Sequence, residues 1–463
     1  MLSRRTIIKI LAMSFISLQI FAATEKDHLE KVTGAVGDGV ALDTQAIQGA
    51  IDRCHARQGG VVLVPEGKYC IGTIKLKSNV ELRLEEGAEL LGSLSISDYA
   101  RDIQGAVEAP AFDECLIYAE ASQNLKITGK GVINGRGSRT NFPERNADKS
   151  LADRPMLMRF VKCQNVELSE VTLKDAASWC THLVLCEDVV VRNVTIDSRL
   201  NINNDGFDMD GCNNVLIEDS AIATGDDSIC PKSTTKNLTE NIVVKNCRVE
   251  SHTSAFKCGT SSYGGFRNIT VADCDFSNTQ MGAIKLLNVD GGIMENITIK
   301  NIVMRDVEGP IFIRLGNRGR TYHQKTEQIY GNDVKPEGAP VGWTKNIKIS
   351  QIKATVKGND LKKQGIMISG IPGHPIENVI LEDLDISFTG GGTEEDAKRL
   401  VPEDIARYPE QFFFGVLPAW GAYIRHAKNI EFKNVNLTVQ TKDHRQRIVL
   451  VDVEGFKEHS KID

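Results

Sequence analysis

The chain has 463 residues, 41% hydrophobic and 25% charged, with a net charge of −6 and a pI near 5.9. That is the balance of a soluble globular protein, long enough for one large domain or two ordinary ones. Such acidity gives no support for nucleic-acid binding, which asks for a basic face, while leaving room for local patches that meet an acidic polysaccharide. Aromatic residues make up only 6%, and 40 Gly against 13 Pro favour β-architecture with many turns.

The chain opens with MLSRRTIIKILAMSFISLQIFAA. A basic start (Arg4, Arg5, Lys9) is followed by an apolar stretch from Ile10 to Phe21 and by the small residues Ala22 and Ala23. The apolar run is short for a bilayer, so residues 1–23 read as an export signal. Ser3 to Lys9 resembles the twin-arginine pattern, which carries folded proteins across the bacterial inner membrane. An anchored N-terminal helix is the rival reading. No later segment is long and apolar enough to be a transmembrane helix. The expectation is a periplasmic or secreted protein with no membrane contact after signal removal, its residues 24–463 forming a single domain.

Residues 37–70 combine a helical pattern from Thr44 to Cys54 with a strand, and the helix is expected to cap the first coil of a repeat. The repeat is the phrase Asn, aliphatic, any residue, aliphatic. It stands at 124, 165, 193, 214, 241, 268, 296, 346, 378 and 429, with spacings of 28, 21, 27, 27 and 28 between 165 and 296. A period in the twenties with one β-branched strand per repeat points to a solenoid. The fold class expected is all-β, a right-handed single-stranded parallel β-helix with an N-terminal capping helix. Equivalent residues would stack about 4.8 Å apart, and the recurring Asn would form an amide ladder at a turn. Residues 316–345 and 390–420 break the period and read as long loops inserted on one face, where binding sites often lie.

The 11 cysteines are an odd number, so a complete disulfide framework is impossible. Cys163, Cys186 and Cys212 each precede an Asn or Asp of the repeat by two residues, and Cys247 and Cys274 recur at another place. Such regular placement suggests stacked, buried thiols that act as small hydrophobes.

The stretch NNDGFDMDGCNNVLIEDSAIATGDDSIC, residues 203–230, gathers aspartates beside glycines. Asp205 and Asp226 are 21 residues apart, an interval that stacks them roughly one rung apart. Asp227 follows directly, and at a bend or bulge both members of the pair can face one cleft. Carboxylates on one face raise each other's pKa, so one can keep a proton while another stays ionised. Glycosidic hydrolysis needs such an acid and base. On these residues alone, turn-forming or calcium-binding aspartates are an equal reading. Asp208 and Asp210, alternating with Phe207 and Met209, read as structural.

Asn203-Asn204-Asp205-Gly206 followed by Gly225-Asp226-Asp227 resembles glycoside hydrolase family 28, the polygalacturonase family, whose hallmarks are Asn-x-Asp and Gly-Asp-Asp. GDGVALDTQAIQGAI near the start, ITGKGVINGRG at 127–137, GIPGHPIENVILEDLDI and YIRHAKNIEFKNV extend the likeness over most of the chain. The resemblance implies a right-handed parallel β-helix and inverting hydrolysis without metal or cofactor. It implies Asp226 as general acid, with Asp205 and Asp227 activating the water. Inversion asks for roughly 6.5–9.5 Å between acid and base.

Two positions depart from the family pattern. Where Gly-His-Gly is usual, the segment is Thr253-Ser254-Ala255, so the His position falls on Ser254, with His252 two residues out of register. Lys257 is placed to support an acidic neighbour. Arg-Ile-Lys, which grips a uronate carboxylate, becomes Ala283-Ile284-Lys285: the lysine survives and the planar clamp is gone. Lys285, Lys257, Asn203 and Arg318 are the substrate-binding candidates, with Arg314, Arg318 and Arg320 as loop replacements for the missing charge. Trp179 and Tyr263 could stack on sugars, although buried packing suits Trp179 better.

The resulting expectation is an exported monomeric hydrolase of a pectin-type polysaccharide or oligosaccharide, galacturonosidic or related in linkage, with no nucleic-acid partner. A pectate-lyase-type enzyme using Ca²⁺ and a Lys or Arg base, and a non-catalytic carbohydrate-binding solenoid, are the alternatives.

Overall fold

A computed structural model describes residues 29–104, 113–320, 322 and 340–459. The expected export signal at 1–23 lies outside them. The chain winds into a parallel β-helix, with 33 strands among the described residues joined in one continuous sheet. The inward column built from the first aliphatic of each phrase shows the winding. It runs Leu125, Val166, Val189, Val215, Ile242, Ile269, Ile297, Ile347, Val379 and Ile430, each pairing in parallel with the next. All ten are buried. Alternation places aliphatics inward and polar residues outward, which is why an Asn-aliphatic-x-aliphatic phrase makes a strand here.

The asparagine ladder is present at the corner before each of these strands. Asn165 donates to Asn124 at 2.7 Å, Asn268 to Asn241 at 3.2 Å and Asn296 to Asn268 at 3.1 Å, whereas Asn241 donates at 2.8 Å to Asn213, the residue before the ladder's Asn214. These corners have left-handed backbone, with φ of 54° at Asn165, 57° at Asn241 and 55° at Asn268. Asn tolerates that region better than most residues. One phrase was misplaced by the sequence reading. NVTI at 193 belongs to a second corner, where its strand Thr195–Ser198 pairs with Ala221–Thr224. In the ladder its rung is filled by Asp188, which accepts from Asn214 at 3.1 Å. That substitution explains the irregular spacings of 28 and 21.

The α-helix, Thr44–Ala56, is two residues longer than the sequence pattern indicated and turns Ile47, Ala50, Ile51 and Cys54 onto the core. It covers the hydrophobic end of the first coil. All 11 cysteines are free and buried, so the thiols pack as apolar groups. Among the described residues no helix is long and apolar enough to cross a membrane. The two period breaks are insertions into the column, between Ile297 and Ile347 and between Val379 and Ile430. The second, 390–420, folds back over the face that carries the aspartates.

Candidate active site

The aspartates stand where strands begin. Asp205 precedes the strand Phe207–Asp210, and Asp227 precedes Ile229–Lys232. Phe207 pairs with Ile229, so the register is 22 residues and Asp205 faces Asp227, not Asp226 as the 21-residue interval suggested. The coils approach closely at this point: a Cβ on Gly206 would meet the Ser228 carbonyl at 2.3 Å. Only glycine fits, which accounts for the Asp-Gly order. Asp226 sits at the bend before Asp227, and both line one cleft with Asp205, as expected from a bent pair. The cleft encloses about 230 Å³, and Asn203, Lys257, Arg318, Arg320 and Trp179 also line it.

Their surroundings divide the three carboxylates. Burial first, then Asp208 and Asp226, push the Asp205 carboxyl well above its ordinary value. Burial and the Asp227 charge raise Asp226. Burial acts upward on Asp227 too, but Lys257 and Lys285 outweigh it and hold that carboxyl well below the usual range. Lys257 Nζ lies 2.6 Å from Asp227 Oδ2, and it is itself held charged by Asp227 against the opposing effect of burial. The neighbour-supporting role expected of Lys257 therefore has its partner. His252 is exposed and Ser254 is buried, and the cation facing Asp227 is Lys257.

Several residues of the site were not singled out by sequence. The Thr253 hydroxyl lies 3.0 Å from Asp226 Oδ1 and 2.9 Å from Asp227 Oδ1. Lys232 Nζ stands 3.9 Å from Asp205 and 3.4 Å from Asp208, and 4.6 Å over the Trp179 ring. Arg154 donates to Asn203 Oδ1 at 2.8 Å, orienting that amide so that its Nδ2 faces Asp226 Oδ2 at 3.5 Å. Tyr408, Glu410, Phe412 and Phe413 enter the cleft from the 390–420 insertion.

Other candidates land elsewhere. Lys285 is buried, with Nζ 2.5 Å from Glu410 Oε2. Glu410 reaches the cleft lining and Lys285 does not, the two forming an internal ion pair. Arg318 lines the cleft, but its Nε and Nη2 grip Asp290 at 2.9 and 2.6 Å. Arg314 donates to Ser369, Gly370, Glu403 and Asp404 and so braces the insertion. Trp179 both packs with Tyr118 and Met156 and lines the cleft; Tyr263 does not line it. Asp210 accepts from Thr234 N and Oγ1 at 2.8 and 2.6 Å, a structural role as expected.

Asp205, Asp227 and Cys230 are the one grouping among the described residues whose metal-ligating atoms come within 4.8 Å of one another. Burial pushes the Cys230 thiol far up, and it donates to the Gly259 carbonyl at 3.1 Å.

Residues 54–404 match the profile of Glycosyl hydrolases family 28. The chain belongs to that family. Family 28 membership makes it a glycosidase that hydrolyses O-glycosyl bonds. It is 28% identical over 403 residues to the "Probable polygalacturonase" of Vitis vinifera, covering 82% of this chain and 77% of that one. The exopolygalacturonase of Platanus acerifolia is 26% identical over 373 residues, covering 78% and 89%. Among solved structures, the exopolygalacturonase of Thermotoga maritima superposes with a TM-score of 0.71 at 23% identity, covering 89% of this chain and 92% of that one. The last comparison carries the fold, a β-helix shared by this family 28 chain.

Proposed function

We propose that this family 28 enzyme hydrolyses a glycosidic bond of a pectic polysaccharide or oligosaccharide with inversion, using Asp226 as acid and Asp227 with Asp205 as the base pair. The carrying observation is that Asp205, Asp226 and Asp227 line one cleft while Lys257 Nζ lies 2.6 Å from Asp227 Oδ2, an asymmetry that favours a proton on Asp226 and a charge on Asp227. One hydroxyl proton at Thr253 serves two carboxylates at 3.0 and 2.9 Å. It can donate to only one of them, which favours one charge on the pair. Asp226 gives its proton to the glycosidic oxygen as that bond breaks. A water held between Asp205 and Asp227 attacks the anomeric carbon from the other face, and Asp227 takes its proton. Bulk water then restores both groups. Asn203 steadies Asp226, and Lys257 keeps Asp227 ionised until it is needed.

The polygalacturonase relatives support a pectic substrate. Such polymers lie outside the bacterial cytoplasm, which fits an export signal at residues 1–23 and a single catalytic domain over 24–463. The test is a panel of pectic oligosaccharides with product anomers followed by NMR. Inverted first products that vanish in Asp226→Asn support the reading. Retained configuration, unsaturated ultraviolet-absorbing products, or an Asp226→Asn protein that still releases sugar would refute it.

A further inference from the structure

The sheet that carries the aspartates has an outward-facing column of side chains, one per coil. In the coils before Asp208 it places Tyr118, Arg159 and His182, and in the coils after Lys257 it places Lys285, Phe312 and Met367. Alternation sends such residues away from the core, where water would ordinarily meet them, yet all six are buried. The outer face of this sheet is therefore roofed over on both sides of the aspartates, and the cleft is the gap between two roofs.

Both roofs are fastened down. On the N-terminal side, Asn201 donates to the Phe142 carbonyl at 2.8 Å, Arg154 donates to the Ile202 carbonyl at 2.8 Å, and Trp179 meets His182 edge-on with centroids 4.9 Å apart. On the C-terminal side lies the 390–420 insertion. Its Phe414 packs edge-on against Phe312 with centroids 6.2 Å apart, and Gln411 donates from Nε2 to the Gln364 carbonyl at 2.8 Å. Arg425 donates to the Val401 and Pro402 carbonyls at 2.9 and 2.8 Å. The roofs also come down beside the reacting groups. Asn203, held by Arg154, is 3.5 Å from Asp226. The Tyr408 hydroxyl accepts from Lys257 Nζ at 3.4 Å, and that ammonium is the one on Asp227. The strands after Asp205 and Asp227 and the strand bearing Lys257 lie in successive coils, so the floor spans about 10 Å at the strand spacing of about 4.8 Å. The space above it is about 230 Å³, below the roughly 300–1,000 Å³ of sites that enclose drug-sized ligands. A cut inside a polymer needs the chain to continue past the site in both directions. A chain laid along the solenoid meets a roof either way, whereas a terminal sugar needs only one opening.

We infer that this cleft is a pocket for a chain end, so that the enzyme releases terminal sugars from its pectic substrate and does not cut within the chain. Tyr408, Phe412 and Phe413, which line the cleft from the insertion, are the wall that sets this. The inference rests on the hydrolytic reading above and deepens it by naming which bond of the substrate is reached.

The test is the size of the first products. Galacturonan, galactan and arabinan hexasaccharides labelled with a fluorophore at the reducing end are incubated with the wild-type protein and separated by chromatography early in the reaction. The labelled product should be one unit shorter than the substrate, or a labelled monosaccharide if the other end enters the pocket. Early products spread over the internal lengths overturn the inference. A Tyr408→Ala/Phe412→Ala/Phe413→Ala protein, shown folded by its thermal melt, should raise the share of internal cuts at least tenfold; a folded variant with no added internal cuts overturns the insertion as the wall. Calorimetric titration of the Asp226→Asn protein with di-, tri- and hexasaccharides of the same three series reads the pocket apart from turnover. Affinity should level off by the trisaccharide. A hexasaccharide bound tenfold or more tighter than the trisaccharide overturns the inference, as does no binding by any probe. Probes that bind with that plateau yet stay intact with the wild-type protein would refute hydrolysis and leave the pocket standing.

Discussion

Replacing Lys257 with Met separates a charge network from simple packing. Its ammonium is 2.6 Å from Asp227 Oδ2, and the two side chains are only 6% and 5% exposed. At an effective dielectric of about 20 the attraction at that distance is about 6 kcal/mol. Desolvation offsets part of it, and removing one partner of such a buried pair costs about 3–5 kcal/mol. Asp227 is held below its unfolded value of 3.8. Its contribution to stability is therefore present above pH 3.8 and lost as pH falls through the depressed folded value. Denaturant unfolding should show Lys257→Met weakened most at neutral pH, with the gap to wild type closing in acid. A Lys257→Met/Asp227→Asn pair, carrying neither charge, should recover most of the loss. In pH–rate profiles of kcat/KM, the acidic limb of Lys257→Met should move upward, because Asp227 protonates sooner. At pH values below the shifted limb activity should drop about 100-fold, the scale of a lost general base. An acidic limb that stays in place while stability falls would mean that Lys257 only fills space, and the assignment of Asp227 as base would lose its electrostatic support.

Three further outcomes follow from the same geometry. Asp226 has a raised carboxyl, so its favourable contribution is full below pH 3.8 and is lost as pH rises through the folded value; Asp226→Asn should gain about 0.5–2 kcal/mol at neutral pH and nothing in strong acid, as read by thermal melts across pH. Thr253→Val removes the hydroxyl that helps hold Asp226 down, so the alkaline limb of kcat/KM should rise in pH and kcat should fall about tenfold; an unmoved limb would deny Thr253 that role. Asn268 has φ of 55° and both gives and takes a ladder bond at 3.2 and 3.1 Å. Asn268→Ala should cost about 1–2 kcal/mol and Asn268→Gly measurably less, because glycine accepts that backbone; equal losses would place the value in the amide bonds alone.

The repeat was legible because one constraint acts once per coil. Each rung needs an inward aliphatic pair and a residue that tolerates left-handed backbone, and those demands print the same phrase nine times along the ladder. The phrase at 193 misled because two corners of the coil make the same demand, while the true ladder position, Asp188, uses a different side chain to meet it. Asp205, Asp226 and Asp227 were legible for another reason: close coil approach forces glycine beside them, leaving a local signature. The charges that divide their roles carry no such mark. Thr253 and Lys257 come from the following coil, and Lys232 from a strand whose other residues read as core. Glu410 is 125 residues from Lys285 and arrives on an insertion outside the repeat, so neither spacing nor periodicity announces it. A solenoid confines its regularity to the backbone and the core, where every rung has the same neighbours above and below. Selectivity needs asymmetry between rungs, so it has to be supplied by residues that break the pattern, as Glu410 does where the insertion brings it onto Lys285.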